Sequence, residues 1–284
     1  VPLGAFHETE MSLPSRFVFS QSSLQDYADC PRRFELRYAL GVAWPSARGE
    51  PTATWERRTQ RGAAFHLLVQ QHLSGIAPKK LAASAEEWGI AEWWEAYRAS
   101  PPRGLPPVCR TELSLSALLA GYRLAARYDV VATEPDRRAV IVDWKTTTSR
   151  PERAELAARL QTQVYLYVLA EASAELNDGS RLAEEQVELL YWFVNRPQRP
   201  ERFTYNARAH AQAGERLRAM VAEIGAVEAG EWPTAANAGH CRCCRYQTLC
   251  DRERTPAWDG VEAETDLELD PADLDREQIA EIEF

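Results

Sequence analysis

From Thr111 onward the sequence alternates, with Thr111, Leu113 and Leu115 in one register and Glu112, Ser114 and Ser116 in the other. A two-residue period is the mark of a strand with one buried face. Tyr122–Ala132 and Ala139–Trp144 follow as two further strands, joined by a turn around Pro135-Asp136. Three strands in close succession fix a β-meander at the centre of the chain, and the remainder must pack around it. Upstream, a helix is expected near Leu24, with Ser20, Ser22 and Ser23 as its candidate N-caps, and a second begins at Pro31 and runs through Tyr38. Further helices are expected at about Thr59–Leu73 and Ser84–Arg98, with residues 43–56 and the Pro-rich Ser100–Pro107 as connectors. Downstream come a helix at about Ala154–Ala172, an apolar strand at Val187–Val194, a short strand at Arg202–Tyr205 and a helix at Ala209–Ala229. This order predicts an α/β fold with a mixed central sheet flanked by helices.

The 284 residues are 45% hydrophobic and include nine tryptophans, enough for a substantial core. They divide into a leader at 1–16, one domain at 17–258 carrying a helical insertion at about 57–100, and an acidic tail at 259–284. No apolar run approaches the ~20 residues that a membrane span needs. Val1–Arg16 lacks the basic stretch and apolar core of a signal peptide, so the expected location is cytoplasmic, where thiols stay reduced. The net charge of −9 argues at first against a nucleic-acid partner. Yet the tail alone carries eleven acids against Arg276, which leaves the rest near neutral. Arginines also outnumber lysines 30 to 3, and the guanidinium fork suits phosphate oxygens.

Asp143-Trp144-Lys145 ends the strand Val140-Ile141-Val142. Residues i and i+2 of a strand share a face, so Asp143 and Lys145 project together. A hairpin would bring Asp129 of the preceding strand alongside. Two carboxylates and an ammonium then converge, the donor set in which Mg²⁺ or Mn²⁺ binds and acidifies a water. Alone, an Asp-x-Lys triplet is common by chance and more often describes a salt bridge at a strand end. Gln161 and Tyr165, four apart on the next helix, share a face and offer hydrogen bonds to phosphate or substrate, or else are ordinary helix surface and core. His66 opens another helix; a lone histidine is usually structural, though neutral imidazole also ligates Mn²⁺ or Mg²⁺ beside carboxylates. Glu112 reads equally as a carboxylate of the site and as an exposed strand acid.

Of the six cysteines, Cys241, Cys243, Cys244 and Cys250 fall within ten residues. Such density in a reducing compartment points to metal rather than to disulfides. Cys241, Cys244 and Cys250 leave a four-thiolate site one ligand short, and Cys30, before Pro31, supplies it from the other end of the chain. Four thiolates suit a [4Fe–4S] cluster or Zn²⁺. Cys243 competes with its neighbours as a ligand, and Cys109 reads as a core thiol.

Together these residues resemble the RecB-like branch of the PD-(D/E)xK nucleases, including AddB-type nuclease domains and CRISPR-associated RecB-like exonucleases. Ser20-Gln21-Ser22-Ser23-Leu24 through Cys30-Pro31-Arg32-Arg33-Phe34 is similar to that branch's N-terminal cysteine motif, and Gly62-x3-His66 to its histidine motif. Asp129, Asp143-Trp144-Lys145, Gln161-x3-Tyr165 and Cys241-x2-Cys244-x5-Cys250 follow in the same order. The resemblance implies a restriction-endonuclease-like fold, DNA phosphodiester cleavage with Mg²⁺ or Mn²⁺, and a [4Fe–4S] cluster on Cys30, Cys241, Cys244 and Cys250. By the same resemblance His66, Asp129, Asp143 and the backbone carbonyl of Trp144 ligate the catalytic metal, Lys145 is the catalytic lysine, and Gln161 and Tyr165 support it. The sequence departs from the branch in its extra Cys243 and in Tyr128 before Asp129, where many relatives carry a glycine-led run.

The expected activity is therefore a deoxyribonuclease, an exonuclease on single-stranded or end-containing DNA serving repair or defence, with a protein partner in a DNA-processing complex. The competing reading is a non-catalytic iron–sulfur scaffold subunit of such a complex. A zinc-stapled protein with another task ranks third. No Walker-type loop occurs, so no helicase motor is expected in this chain.

Overall fold

The computed structural model describes residues 13–14, 16–42, 50–147, 151–227, 231–241, 244 and 246–250. The expected acidic tail, most of the leader and Cys243 lie outside these residues. The chain runs β1 (Val18–Phe19), α1 (Gln21–Asp29), α2 (Pro31–Phe34), α3 (Glu50–Leu73), α4 (Pro78–Glu87), α5 (Ala91–Ala99), β2 (Val108–Leu119), β3 (Tyr122–Glu134), β4 (Arg138–Lys145), α6 (Arg153–Ala158), α7 (Leu160–Ala172), β5 (Val187–Phe193), β6 (Glu201–Thr204) and α8 (Ala207–Gly225). This is the expected α/β architecture.

The six strands form one mixed sheet. β2 pairs antiparallel with β3 along almost its full length, Val108 facing Thr133 and Leu119 facing Tyr122. The other edge of β3 is shared: β4 pairs antiparallel at Val130–Glu134, and the two-residue β1 pairs parallel at Arg123–Leu124. β5 pairs parallel with β4 in continuous register from Ala139↔Val187 to Lys145↔Phe193, and β6 closes the sheet antiparallel to β5. The strand–helix–strand passage from β4 through α6 and α7 to β5 is the connection that parallel neighbours require.

Alternation divides the sheet between two cores. Val130, Val142, Trp144, Leu190 and Trp192 face α3–α5 and pack on Phe65, Leu68, Val69, Trp94 and Tyr97. Val131, Ile141, Leu189, Tyr191 and Phe193 belong to the other core, with Val164, Leu169, Leu217 and Val221 of α7 and α8.

Several helix boundaries differ from expectation. α3 begins at Glu50, within the segment 43–56 read as a connector. The helix expected at Ser84–Arg98 is two, α4 and α5, separated at Gly89, whose φ of +64° turns the chain. The helix expected at Ala154–Ala172 is broken at Arg159, which is extended at φ −61°, ψ 141°. Among the three candidate caps the structure selects Ser20: its Oγ accepts from Ser23 N at 3.1 Å while Ser23 Oγ accepts from Ser20 N at 2.9 Å, a reciprocal box that closes the first turn of α1. Ser20→Ala is expected to lower unfolding free energy by about 1 kcal/mol in a denaturant titration, the ordinary cost of losing an N-cap.

The two ends of the described chain meet. Phe34 stacks on Trp232 at 5.4 Å, Arg32 N donates to Pro233 O at 3.1 Å, and Tyr246 donates its hydroxyl to Val42 O at 3.2 Å. The Tyr27 hydroxyl donates to Glu223 at 2.9 Å, tying α1 to α8. The N-terminal helices are thus joined to the C-terminal cysteine segment.

Candidate active site

The ladder between β3 and β4 ends at Val130↔Val142. One step beyond, where the strands part, stand Asp129 and Asp143. Trp144 N, released from the β3 ladder, donates instead to Asp129 Oδ2 at 2.9 Å. That bond pins the carboxylate in the gap between the strands. His66, carried by α3 from the opposite core, reaches the same gap and places Nδ1 3.0 Å from Asp129 Oδ1. The site therefore sits where the two helical layers meet at the splayed strands.

Asp143 and Lys145 share a face as expected, with Lys145 Nζ 3.0 Å from Asp143 Oδ2. Gln161, the second residue of α7, closes a triangle with them. It accepts from Lys145 Nζ at 2.7 Å and donates to Asp143 Oδ1 at 3.1 Å. All three are buried, at 3%, 4% and 5% exposure for Asp143, Lys145 and Gln161. An amide is well suited to this position because it offers an acceptor to the ammonium and a donor to the carboxylate at once.

Electrostatics couples the two halves. Burial alone would push the His66 imidazolium down. The charge and hydrogen bond of Asp129, with Asp143 behind it, outweigh that and hold its pKa raised. Burial likewise pushes Asp129 up, but His66, the Trp144 N–H and Lys145 together pull it below its usual value. Glu112 stands opposite Asp129 on β2 in the left-handed region, φ +53°, which is uncommon for a residue other than glycine. Its carboxylate accepts from Arg127 Nε at 2.8 Å. Burial and the Asp129 charge raise it against the pull of Arg127 and His66. Glu112 therefore belongs to the electrostatic surroundings of the site rather than to a free strand surface.

Tyr165 is buried as well; its carbonyl accepts from the Tyr128 hydroxyl at 3.1 Å, and the two rings lie 5.0 Å apart. Trp144 is buried. Its indole is 4% exposed within the α3–α5 core, edge-on to Tyr97 and Trp192, so it is not a surface on which bases could stack. Tyr191 was missed by the sequence reading. Its ring lies 5.2 Å from Lys145 Nζ and its hydroxyl is 2.8 Å from Thr162 Oγ1. The only signal for it was its place in an apolar strand, which names no role.

Cys30 is buried, and Cys241, Cys244 and Cys250 are partly exposed. Burial raises the Cys244 thiol, the Tyr246 N–H and Arg33 oppose this, and Cys250 and Cys30 add to it, so both of these sulfurs lie within electrostatic reach of Cys244. Cys109 is exposed on β2 and is not the core thiol expected of it. Among the described residues, no three His, Cys, Asp or Glu side chains are disposed around a shared metal position. In the acidic centre the carboxylates are turned instead to protein donors, Asp129 to His66 and Trp144 N, Asp143 to Lys145 and Gln161. No helix among the described residues is long and apolar enough to cross a membrane.

Residues 18–251 match the family model of the PD-(D/E)XK nuclease superfamily. Solved structures similar along most of the chain include SSO0001, 15% identical with a TM-score of 0.45 over 84% of this chain and 87% of that one. Another is a candidate exonuclease from Eubacterium rectale, 11% identical with a TM-score of 0.49 over 84% of this chain and 91% of that one. Among curated proteins, none matches the chain.

Proposed function

From the premise that this chain belongs to the PD-(D/E)XK nuclease superfamily, we propose that it is a metal-dependent deoxyribonuclease, acting as an exonuclease on single-stranded or end-containing DNA. Its mixed six-stranded sheet flanked by helices is the restriction-endonuclease-like fold. The observation that carries the reading is the Asp143–Gln161–Lys145 triangle set beside the His66–Asp129 pair at the point where β3 and β4 part. A plain strand-end salt bridge does not need a histidine from one layer and a buried glutamine from the other.

The donor set fits a divalent cation chemically. His66, Asp129, Asp143 and the Trp144 carbonyl would hold Mg²⁺ or Mn²⁺, displacing the protein donors that now satisfy the carboxylates. The bound ion would supply Lewis acidity and an acidified water. Lys145 cannot ligate a metal while protonated, so it orients the nucleophile and offsets charge on the phosphoryl oxygens. Gln161 fixes the Lys145 ammonium through its carbonyl oxygen, and Tyr165 supports the same helix one turn on. The domain reading is one nuclease domain at 17–258 with the helical module of about 57–100 delivering His66. DNA repair or defence, with a protein partner, is the setting such an enzyme would serve.

End-labelled single and double strands incubated with Mn²⁺ test the activity. Cleavage that requires the metal and starts from ends of single strands is expected; intact label with every metal would leave the non-catalytic scaffold reading.

The cysteine segment is proposed to hold a [4Fe–4S] cluster on Cys30, Cys241, Cys244 and Cys250. Its support is that Cys30, from the other end of the chain, and Cys250 both come within electrostatic reach of Cys244. Such a ligand set closes a very long loop and stabilises mainly by restricting the unfolded chain. Anaerobically prepared protein should be brown and contain iron and sulfide, and Cys30→Ser should lose both and melt earlier. Stoichiometric zinc without iron would replace the cluster by a zinc staple.

A further inference from the structure

We infer that Arg196 is a phosphate-binding residue of the substrate groove, gripping the nucleic-acid backbone beside Lys145. The inference rests on the nuclease reading for the identity of its ligand, though not for the existence of an anion site.

The placement follows from β5. Phe193 is the strand partner of Lys145 in the parallel β4–β5 register, and Val194 N donates to Lys145 O at 3.0 Å, so the two strand ends stay locked together. Asn195 then donates its amide to Thr147 O at 3.3 Å, holding the exit of β5 to the exit of β4. Arg196 N donates back to Phe193 O at 3.0 Å, and this turn returns the side chain over the strand end. The guanidinium carbon lies 4.5 Å from the centroid of the Phe193 ring. Phe193 is in the same core as Tyr191, the ring against which Lys145 Nζ rests. Arg196 therefore stands on the Lys145 side of the sheet, just past the C-terminal end of β5.

Its hydrogen bonding is what singles it out. Arg196 Nε and Nη2 are buried and have no hydrogen-bond partner among the described residues. Other arginines around these strands have acceptors: Arg202 pairs with Glu188, Arg127 with Glu112 and Arg153 of α6 with Glu201, while Arg110, Arg123 and Arg138 donate to Thr133, Ser116 and the Gly104 carbonyl. A guanidinium always carries its charge, and buried charges are normally paired. Stacking on Phe193 holds the plane of the fork but satisfies none of its N–H groups. What is missing is an acceptor, and once a ligand displaces what covers it, Nε with one terminal nitrogen is the edge that takes two oxygens of a phosphate side by side. A phosphodiester drawn toward Lys145 passes the turn that carries Arg196.

The test uses the full chain with Arg196→Ala and Arg196→Lys, Ca²⁺ replacing Mn²⁺ to hold cleavage. Binding of a fluorescent single-stranded oligonucleotide is followed across a salt series, and melting temperature is followed against inorganic phosphate. Arg196→Ala should weaken oligonucleotide binding about tenfold or more, the range of one charge-assisted contact. The slope of log affinity against log salt should fall by ~0.7, one phosphate contact on a single strand. Arg196→Lys should recover part of the affinity, and phosphate should raise the melting temperature of the wild type but not of Arg196→Ala. Wild-type affinity and slope in both variants would overturn the inference, even with a lowered melting temperature, and leave Arg196 a strut on Phe193. If Arg196→Ala does not fold, Arg196→Lys decides: an affinity unchanged from wild type counts against the site. Should the wild type cleave no nucleic acid while phosphate still protects it through Arg196, the anion site stands and the nuclease reading falls.

Discussion

Lys145→Ala should reduce DNA cleavage by a factor of ~10²–10³, the usual loss when one preorganised charge-stabilising donor is removed. Mn²⁺ binding should persist. Lys145 Nζ is 3.0 Å from Asp143 and 2.7 Å from Gln161, so in the absence of metal it is the cation that balances a buried carboxylate. Removing it leaves Asp143 without that partner, and the variant should melt earlier than wild type when metal-free. A divalent ion replaces the missing charge, so added Mn²⁺ should restore more melting temperature in Lys145→Ala than in wild type. Asp143→Ala behaves oppositely: cleavage and metal binding are lost together, because a ligand has gone and the ammonium remains. Calorimetric titration with Mn²⁺ separates the two variants. Wild-type cleavage by Lys145→Ala would remove this triplet from the active site and bring the scaffold reading forward.

Which parts of this site were legible in the sequence follows from which parts are local. Asp143 and Lys145 are two apart on a strand, so their shared face is dictated by the pleat. Asp129 is reached across one hairpin, and the structure brings it to the same gap. By the same pleat Trp144, between Asp143 and Lys145, had to face the other way, which places it against Trp192. Gln161 was found from its spacing to Tyr165, but its bridging of Asp143 and Lys145 depends on where α7 starts. That start is set by the extended Arg159, which no glycine or proline announces. α7 is buried on nearly every side, so its apolar pattern carries no face to read. The break between α4 and α5 does have a local signal in Gly89, whose positive φ a continuous helix does not hold. β1 is too short for any period to show, and its parallel pairing with β3 depends on a contact more than a hundred residues away in sequence. Tyr191 and Arg196 flank the site from β5 and the turn after it, and nothing local marks either.

Trp192→Ala is expected to be the most destabilising of these changes, at about 3–5 kcal/mol by chemical denaturation, the range for deleting a buried aromatic. The indole is fully buried, stacked on Phe65 at 5.9 Å, edge-on to Tyr97 and Trp144, and its Nε1 donates to Ser100 O at 2.9 Å. Phe65 precedes His66 on α3, and Ser100 follows α5 directly. One side chain of the sheet therefore fixes both ends of the helical module that delivers His66 to Asp129. Its loss should cost function as well as stability: in the folded protein at low temperature, Mn²⁺ should bind more weakly and cleavage should fall. Trp192→Phe, which keeps the stack on Phe65 and gives up the bond to Ser100, should lose less of both. A Trp192→Ala protein that is strongly destabilised yet binds Mn²⁺ as wild type does would mean that His66 is positioned by α3 and its Asp129 hydrogen bond alone, without help from the seam between the module and the sheet.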